Sequence, residues 1–148
     1  MRKLTAVTLV VAFIVTLAPF AHVLEMISKL TLDGPLWLAI QQNLYRGWGP
    51  VLGPFIVIAL LLSLAHLFLP GQPRRCFILA SVCYAAMLAS FFVFNDPVNV
   101  ALNGWTASTL PPDWSAYRLR WEIGHFLSAV LSAAGFLALL SPQLKRGQ

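Results

Sequence analysis

The sequence predicts an all-α membrane protein: a bundle of four transmembrane helices with a short interfacial amphipathic helix between the first and second spans. Of its 148 residues, 59% are hydrophobic and 10% are charged, whereas about a quarter are charged in soluble domains. Four apolar runs are each long enough to cross a bilayer. They use most of the chain, so we expect a single domain over residues 1–148 and no separate soluble catalytic domain.

The spans are expected at about residues 4–25, 51–69, 76–94 and 119–141. The first follows Met1-Arg2-Lys3 and has the look of a secretory signal, but it is long for a signal core and no small-x-small cleavage site follows it. We therefore expect it to be retained. The Pro- and Gly-containing basic segment 69–75 predicts a tight turn between antiparallel second and third helices.

Positive charge predicts the orientation. One side of the predicted bundle carries only basic residues, whereas the other mixes both signs; the basic residues are Arg2, Lys3, Arg74, Arg75, Lys145 and Arg146. The positive-inside rule then places both termini in the cytoplasm, for a multi-pass protein of a bacterial-type inner (plasma) membrane in contact with lipid. Because the basic residues do not form a stripe with interleaved aromatic residues, no nucleic-acid partner is predicted.

The connection between the first two spans predicts the short helix. Asp33-Gly34-Pro35 is typical of a helix start, and apolar residues then recur at helical spacing opposite amides. Aromatic residues also collect on this extracytoplasmic side: Trp37, Tyr45, Trp48, Trp105, Trp114, Tyr117 and Trp121. An interfacial aromatic belt and an aromatic-lined pocket both remain open as explanations.

Two His/Glu pairs are the strongest candidates for chemistry. His22 and Glu25 lie near the outer end of the first span, and Glu122 and His125 near the outer start of the fourth. Both pairs have i, i+3 spacing, so each shares a helix face, and antiparallel helices bring them to similar depth. If they face each other, they could form an acid/base site or bind a transition metal. Alternatively, the carboxylates form ordinary ion pairs with Lys29 and Arg118.

Three asparagines follow the third span at intervals of four residues: Asn95, Asn99 and Asn103. They would share one face of a helix continuing past Pro97. Two interpretations stay open: the amides satisfy loop backbone, or they orient a polar substrate or a developing oxyanion. His66, toward the other end of the second span, is expected to make a structural hydrogen bond.

The chain resembles the anthrone oxygenase-like family of small four-helix membrane proteins, in its bacterial, mostly uncharacterised branch. The resemblance is carried by residues 97–102, by Trp114 and Arg118, and by Trp121-Glu122-Ile123-Gly124-His125. Similarity to the bacterial branch extends to residues 22–25 with Lys29 and to residues 41–48. The family pattern often has an arginine three residues beyond the histidine, where this chain has Ser128.

The resemblance implies a membrane oxygenase that converts the activated methylene of an aromatic anthrone to a carbonyl with O₂, without a flavin or haem. His125 would be the base, oriented by Glu122 or Glu25. Asn99 and Arg118 would hold the developing oxyanion. Further contacts to the lipophilic substrate would come from Trp114, Trp121, Asn103 and Trp105.

Two other classes of function remain open. The protein could bind a metal or haem through His22 and His125, with Glu25 and Glu122 as further ligands of a bare metal ion. It could also be a non-catalytic subunit or scaffold, since small residues on the fourth helix permit close packing within the bundle or in a homo-oligomer: Ser128, Ser132, Ala133, Ala134 and Gly135.

Overall fold

The computed structural model describes residues 2–146, and side chains up to residue 144. Six α-helices account for most of this part of the chain: α1 (Arg2–Thr31), α2 (Gly34–Asn43), α3 (Trp48–His66), α4 (Arg74–Ser90), α5 (Asp96–Asn103) and α6 (Trp114–Arg146). A turn of π-helix, Phe91–Asn95, joins α4 to α5. The domain limits at residues 1 and 148, and the Lys145 and Arg146 side chains used for orientation, lie outside this description.

The four long helices pack in a ring in which sequence neighbours are spatial neighbours. α1 contacts α3 and α6, and α4 contacts α3 and α6. All four, with α4 continued through the π turn and α5, are long and apolar enough to cross a membrane. The predicted all-α membrane bundle is therefore confirmed, and the chain is a multi-pass membrane protein whose apolar helix faces contact lipid.

The bundle has two distinct ends. The turn end carries the α3–α4 turn, the start of α1 and the last turns of α6. Two contacts show this: the His66 ring meets Thr8 of α1, and Cys76 of α4 meets Ser141 of α6. The opposite end, called the α2 end below, carries α2, α5 and residues 104–113. Helix α2 begins at the predicted place: the Asp33 carboxylate caps it by accepting a hydrogen bond of 2.8 Å from the backbone N–H of Leu36.

The turn end is tightly packed. Its core joins apolar side chains of all four long helices, among them Val15, Ala59, Phe77, Tyr84 and Leu139. A methyl group added at Gly135 of α6 would lie 3.0 Å from the Tyr84 ring, so this small residue serves packing within the chain. Cys76 and Cys83 are both free thiols.

Helix α3 packs unevenly along its length. Its buried residues are Ala59, Ser63 and His66, all in the half nearer the turn end. The other half begins at Gly47-Trp48 and contains Pro50, Gly53 and Pro54, and it has no buried residue. Space therefore opens between this half of α3 and the remaining helices.

The helices extend beyond the predicted spans at the α2 end. Helix α1 continues to Thr31 rather than ending near residue 25, and α6 begins at Trp114, directly after Pro111-Pro112-Asp113. The third span runs on from Ser90 through the π turn to Asn103. At the turn end α3 stops earlier than predicted, at His66, because the next three amides bond to carbonyls three residues back and Gly71 adopts a left-handed φ of 71°.

Candidate functional site

A cavity of about 850 Å³ occupies the space beside the loosely packed half of α3. Its walls come from α1, α3, α6 and the segment from α4 to α5, and the end of α2 covers it. This volume is typical of a small-molecule site. The two histidines of the predicted pairs, His22 and His125, both line it, as do Trp48, Trp121 and Asn99.

The two His/Glu pairs face each other at similar depth. The imidazole rings of His22 and His125 lie 4.0 Å apart, centroid to centroid, and the Trp121 ring contacts both at 4.7 and 4.1 Å. His22 is almost fully buried, whereas His125 is partly accessible where it meets the cavity. His125 is therefore the imidazole better placed to touch a bound molecule.

The Lys29 ammonium lies between His22 and the carboxylates of Glu25 and Glu122, and these groups form the charged centre. The Lys29 ammonium is 3.2 Å from a carboxylate oxygen of Glu122, 3.7 Å from one of Glu25 and 3.3 Å from Nδ1 of His22. It also lies over the Trp121 ring, 4.7 Å from its centroid. Lys29 and Glu122 are buried at 3% and 1% exposure. Because a buried charge is costly without a partner, this pair is held by mutual compensation.

Glu25 connects this centre to the surface. Its side chain is 42% exposed, and it accepts a hydrogen bond from the Tyr45 hydroxyl. Tyr45 in turn packs edge-on against His22 and stacks with Trp121. Burial, and then the hydrogen bond to Glu25, raise the pKa of Tyr45, so the phenol stays protonated and acts as the donor.

The asparagine row comes together as its spacing suggested. Asn95, Asn99 and Asn103 all line the cavity. Asn95 is buried and donates to the Trp121 backbone carbonyl at 3.0 Å, and the Asn99 amide oxygen accepts from the Trp121 indole N–H at 3.1 Å. The two amides thus fix the indole ring beside the histidines.

Around Asn95 the helix is altered, and it ends at Asn103. Pro97 has no N–H to donate to the carbonyl four residues back, and that carbonyl, of Val93, instead accepts from the Arg120 guanidinium. The π turn immediately before α5 shifts the register of the following residues. Gly124 of α6 makes room for Asn95, whose side chain a methyl group there would overlap.

Besides Glu25 and Glu122 of the charged centre, three of the predicted site residues lie away from the cavity. Arg118 donates to the backbone carbonyls of Lys29 and Leu32, at 3.0 and 2.7 Å, and its guanidinium lies 4.6 Å from the Trp114 ring. Trp114 packs against Trp37, and Trp105 against Tyr117. These residues hold the end of α1 and the cover of the bundle, whereas His125, Trp121, Asn99 and Asn103 line the cavity.

The arrangement of the His and Glu side chains does not fit a metal or a haem. In the described part of the chain, no three His, Cys, Asp or Glu side chains converge as a ligand set. The Lys29 ammonium lies between the carboxylates and His22, where a bare cation would compete with it. A bis-histidine haem would pass its porphyrin plane between the imidazoles, and rings 4.0 Å apart leave no space for it.

Sequence reasoning missed two contributors to the site. The sequence pattern predicts Lys29 only as an ion-pair partner of Glu25, although its spacing from both His22 and Glu25 on one helix face, beside an apolar run, is the signal that it points inward. The pattern also places Gln41 on the polar face of an interfacial helix, yet it is buried and lines the cavity.

Comparison of the chain with family models, curated proteins and solved structures gives no match.

Proposed function

We propose that this protein is a membrane oxygenase of the anthrone oxygenase-like type. It would act on a lipophilic aromatic substrate with an activated C–H bond, in the cavity at the α2 end. The observation that carries the proposal is that His125 faces this cavity while its ring contacts His22, which in turn meets the buried Lys29 ammonium. A neutral imidazole beside a partly apolar cavity is suited to accept a proton from carbon.

The overall reaction is a methylene and O₂ giving a carbonyl and water. His125 accepts the first carbon-bound proton, and the electron pair delocalises into the aromatic ring and its oxygen substituent. The carbanion reacts with O₂ to a peroxide anion, which takes the first proton back from His125 and becomes a hydroperoxide. Loss of the second carbon-bound proton to His125 then breaks the O–O bond, forms the carbonyl and releases hydroxide, which takes up this second proton as water.

Asn99 is the best-placed donor for the developing oxyanion. Its amide oxygen is occupied by the Trp121 indole, so its NH₂ group, which has no partner among the described residues, is free to donate to a bound oxygen. Arg118, by contrast, uses its guanidinium on two backbone carbonyls of the α1 end. Its role in this proposal is to position Lys29.

The charged centre lies beside the proposed base and extends to the surface. His125 contacts His22, His22 meets the Lys29 ammonium, and this ammonium pairs with Glu25, whose carboxylate reaches the surface. Because both carbon-bound protons end in water, this centre sets the charge near His125 and exports no proton. Glu122 compensates the lysine charge and lies outside the cavity wall. In this mechanism Glu122 and Lys29 are positioning residues and His125 is the catalytic base.

The proposal includes an orientation. Arg2, Lys3, Arg74 and Arg75 all belong to the turn end, so the positive-inside rule puts that end and both termini in the cytoplasm of a bacterial-type inner membrane. With Cys76 and Cys83 replaced by serine, a cysteine introduced at Ala107 should react with a membrane-impermeant thiol reagent in intact cells. Reaction only after lysis would reverse the orientation.

The central experiment measures O₂ consumption and carbonyl product with an anthrone-type substrate, using protein in mild detergent. His125→Ala should lower the rate by at least about 100-fold, the usual contribution of a general base. His66→Ala serves as the matched control, since that imidazole lies at the turn end. Unchanged turnover in folded His125→Ala protein would remove His125 from the mechanism.

A spectrum and elemental analysis of the same sample separate this proposal from the metal or haem alternative. We expect no Soret band and no stoichiometric metal. About one metal ion per chain, or a haem spectrum, lost in both His22→Ala and His125→Ala, would replace the proposal with a metalloprotein.

A further inference from the structure

Gln41 is a buried donor that the proposed reaction does not use. Its side chain lines the cavity at the α2 end, the residue is 7% exposed, and its Nε2 group has no hydrogen-bond partner among the described residues. Leaving such a group unpaired in a buried place is unfavourable. An acceptor brought by a ligand would satisfy it.

The neighbouring amides are already occupied, which distinguishes Gln41 from them. Gln42 donates to the carbonyls of Leu102 and Trp105, at 2.7 and 2.9 Å, and so ties the end of α2 to the end of α5. Asn43 donates back to Ala39 within its own helix. The two bonds of Gln42 tie α2 to the cavity wall and so place the Gln41 amide there.

Two further polar groups line the same cavity as Gln41. Arg46 and Asn103 are both exposed, and neither side chain has an ion-pair or hydrogen-bond partner in the described part of the chain. The cavity therefore carries an exposed cation without an acidic partner as well as the buried N–H donor of Gln41. Together they favour an anionic oxygen acceptor.

The remainder of the cavity has the opposite character. Toward the bundle centre its walls are apolar, from Ile14 of α1, Leu52 and Ile56 of α3 and Leu88 of α4. A ligand that satisfies both parts has an apolar body directed into the bundle and an oxygen-bearing head under α2. The cavity thus fixes the direction of its ligand as well as its polarity.

We propose that Gln41, Arg46 and Asn103 form a head-group subsite for a carboxylate or phenolate on an otherwise apolar, planar ligand. The identity of the aromatic body rests on the proposed function; the polar head rests on the three donors. The subsite holds one end of the molecule so that its opposite edge lies along the wall formed by His125 and Trp121.

The test is a binding measurement that needs no turnover. Trp48 and Trp121 line the cavity, so quenching of intrinsic fluorescence reports occupancy. The probes are anthracene, 9-anthracenecarboxylate and 2-hydroxyanthracene, added to protein in mild detergent and corrected for partitioning into empty micelles. We expect the carboxylate to bind at least tenfold more tightly than anthracene. The phenol should do the same above the pH at which it ionises.

Gln41→Leu and Arg46→Gln should each reduce that preference by about tenfold, and the thermal midpoint of Gln41→Leu should not fall. Gln143→Leu is the matched control, because Gln143 at the turn end also has a buried amide nitrogen without a described partner. Equal affinity for anthracene and its carboxylate, or a preference unaffected by both substitutions, would overturn the subsite. Tight binding that survives His125→Ala while turnover is lost would support both proposals. Loss of the preference alone would remove only the subsite.

Discussion

Both ends of the bundle bury a histidine among aromatic rings, but the surroundings of the two differ. At the turn end His66 is fully buried, its Nε2 pairs with the Thr8 hydroxyl at 3.1 Å, and its ring stacks on Phe77 at 4.3 Å. At the α2 end His22 contacts His125 and a lysine ammonium, beside a cavity. The hydrogen bond expected for His66 is thus present.

The difference shows how a structural histidine is distinguished from a candidate catalytic one. His66 has a neutral hydroxyl and an apolar ring as neighbours, and it is absent from the cavity wall, so packing accounts for it. The α2 end keeps Lys29 and Glu122 buried, at a cost that packing alone does not require. Ionisable groups retained inside a membrane bundle indicate function by default.

The largest expected effect is on the charged centre itself. Lys29→Met leaves Glu122 buried without a cation, because the other basic group near it, Arg118, is engaged with backbone carbonyls. Breaking a buried ion pair costs about 3–5 kcal/mol, so the free energy of unfolding should fall by that order. Unfolding in detergent with increasing denaturant measures it.

The control for this prediction is the double variant Lys29→Met/Glu122→Gln. Removing both charges should recover most of the lost stability, because a neutral pair no longer has an unpaired charge to bury. If Lys29→Met were as stable as the original protein, the carboxylate would have another partner, and the contrast between the two ends would disappear.

The next prediction compares alanine substitutions of one histidine from each end, His66 and His125. His66→Ala should destabilise the bundle by about 2–4 kcal/mol, since it leaves a cavity in a tightly packed core, while turnover per folded molecule stays unchanged. His125→Ala should cost under about 1 kcal/mol, because its ring already borders open space, yet it should abolish turnover. Thermal unfolding and O₂ consumption on the same samples check both. The reverse pattern would make His66 the functional imidazole.

The fold could be predicted from the sequence because its signals are local. Each of these signals depends on adjacent residues: the long apolar runs, the basic turn of residues 69–75 and the Asp33 cap. The ends of the helices at the α2 end were harder to predict. Helix α1 continues past Glu25 because Lys29 is compensated by Glu122, which is distant in sequence.

The site could be predicted only in part for the same reason. Spacing put His22 with Glu25 and Glu122 with His125, and depth matched the pairs. It could not reveal that Lys29 lies between them, since that requires the rotation of α1 relative to α6. Nor could it show that Arg118 is used on backbone, because the open carbonyls of Lys29 and Leu32 exist only where α1 ends.

Two glycines provide a smaller test of packing at the α2 end. In Gly124→Ala the new methyl would lie 2.8 Å from Cβ of Phe94 and overlap the Asn95 amide, so we expect a loss of about 1–3 kcal/mol and a displaced Trp121. In Gly53→Ala the methyl meets nothing within 4 Å, and the helix should gain about 0.5–1 kcal/mol. Thermal unfolding and tryptophan emission measure both. If Gly53→Ala lost as much stability as Gly124→Ala, the first half of α3 would be closely packed against its neighbours.

The smallest effect concerns the hydroxyl that ties Tyr45 to Glu25. Tyr45→Phe should cost about 0.5–1.5 kcal/mol, the usual value of one hydrogen bond. Since the pKa of Tyr45 is raised above its ordinary value of 10.0, both folded and unfolded chains keep this proton below pH 10. Above pH 10 the unfolded chain loses it first, so the original protein should lose stability relative to Tyr45→Phe as pH rises. Denaturant unfolding at about pH 7, about pH 9 and about pH 11, on both sides of that value, tests this. If the original protein instead gained stability relative to Tyr45→Phe between the first two of these, the phenol would ionise in the folded state and could not be the donor that holds Glu25.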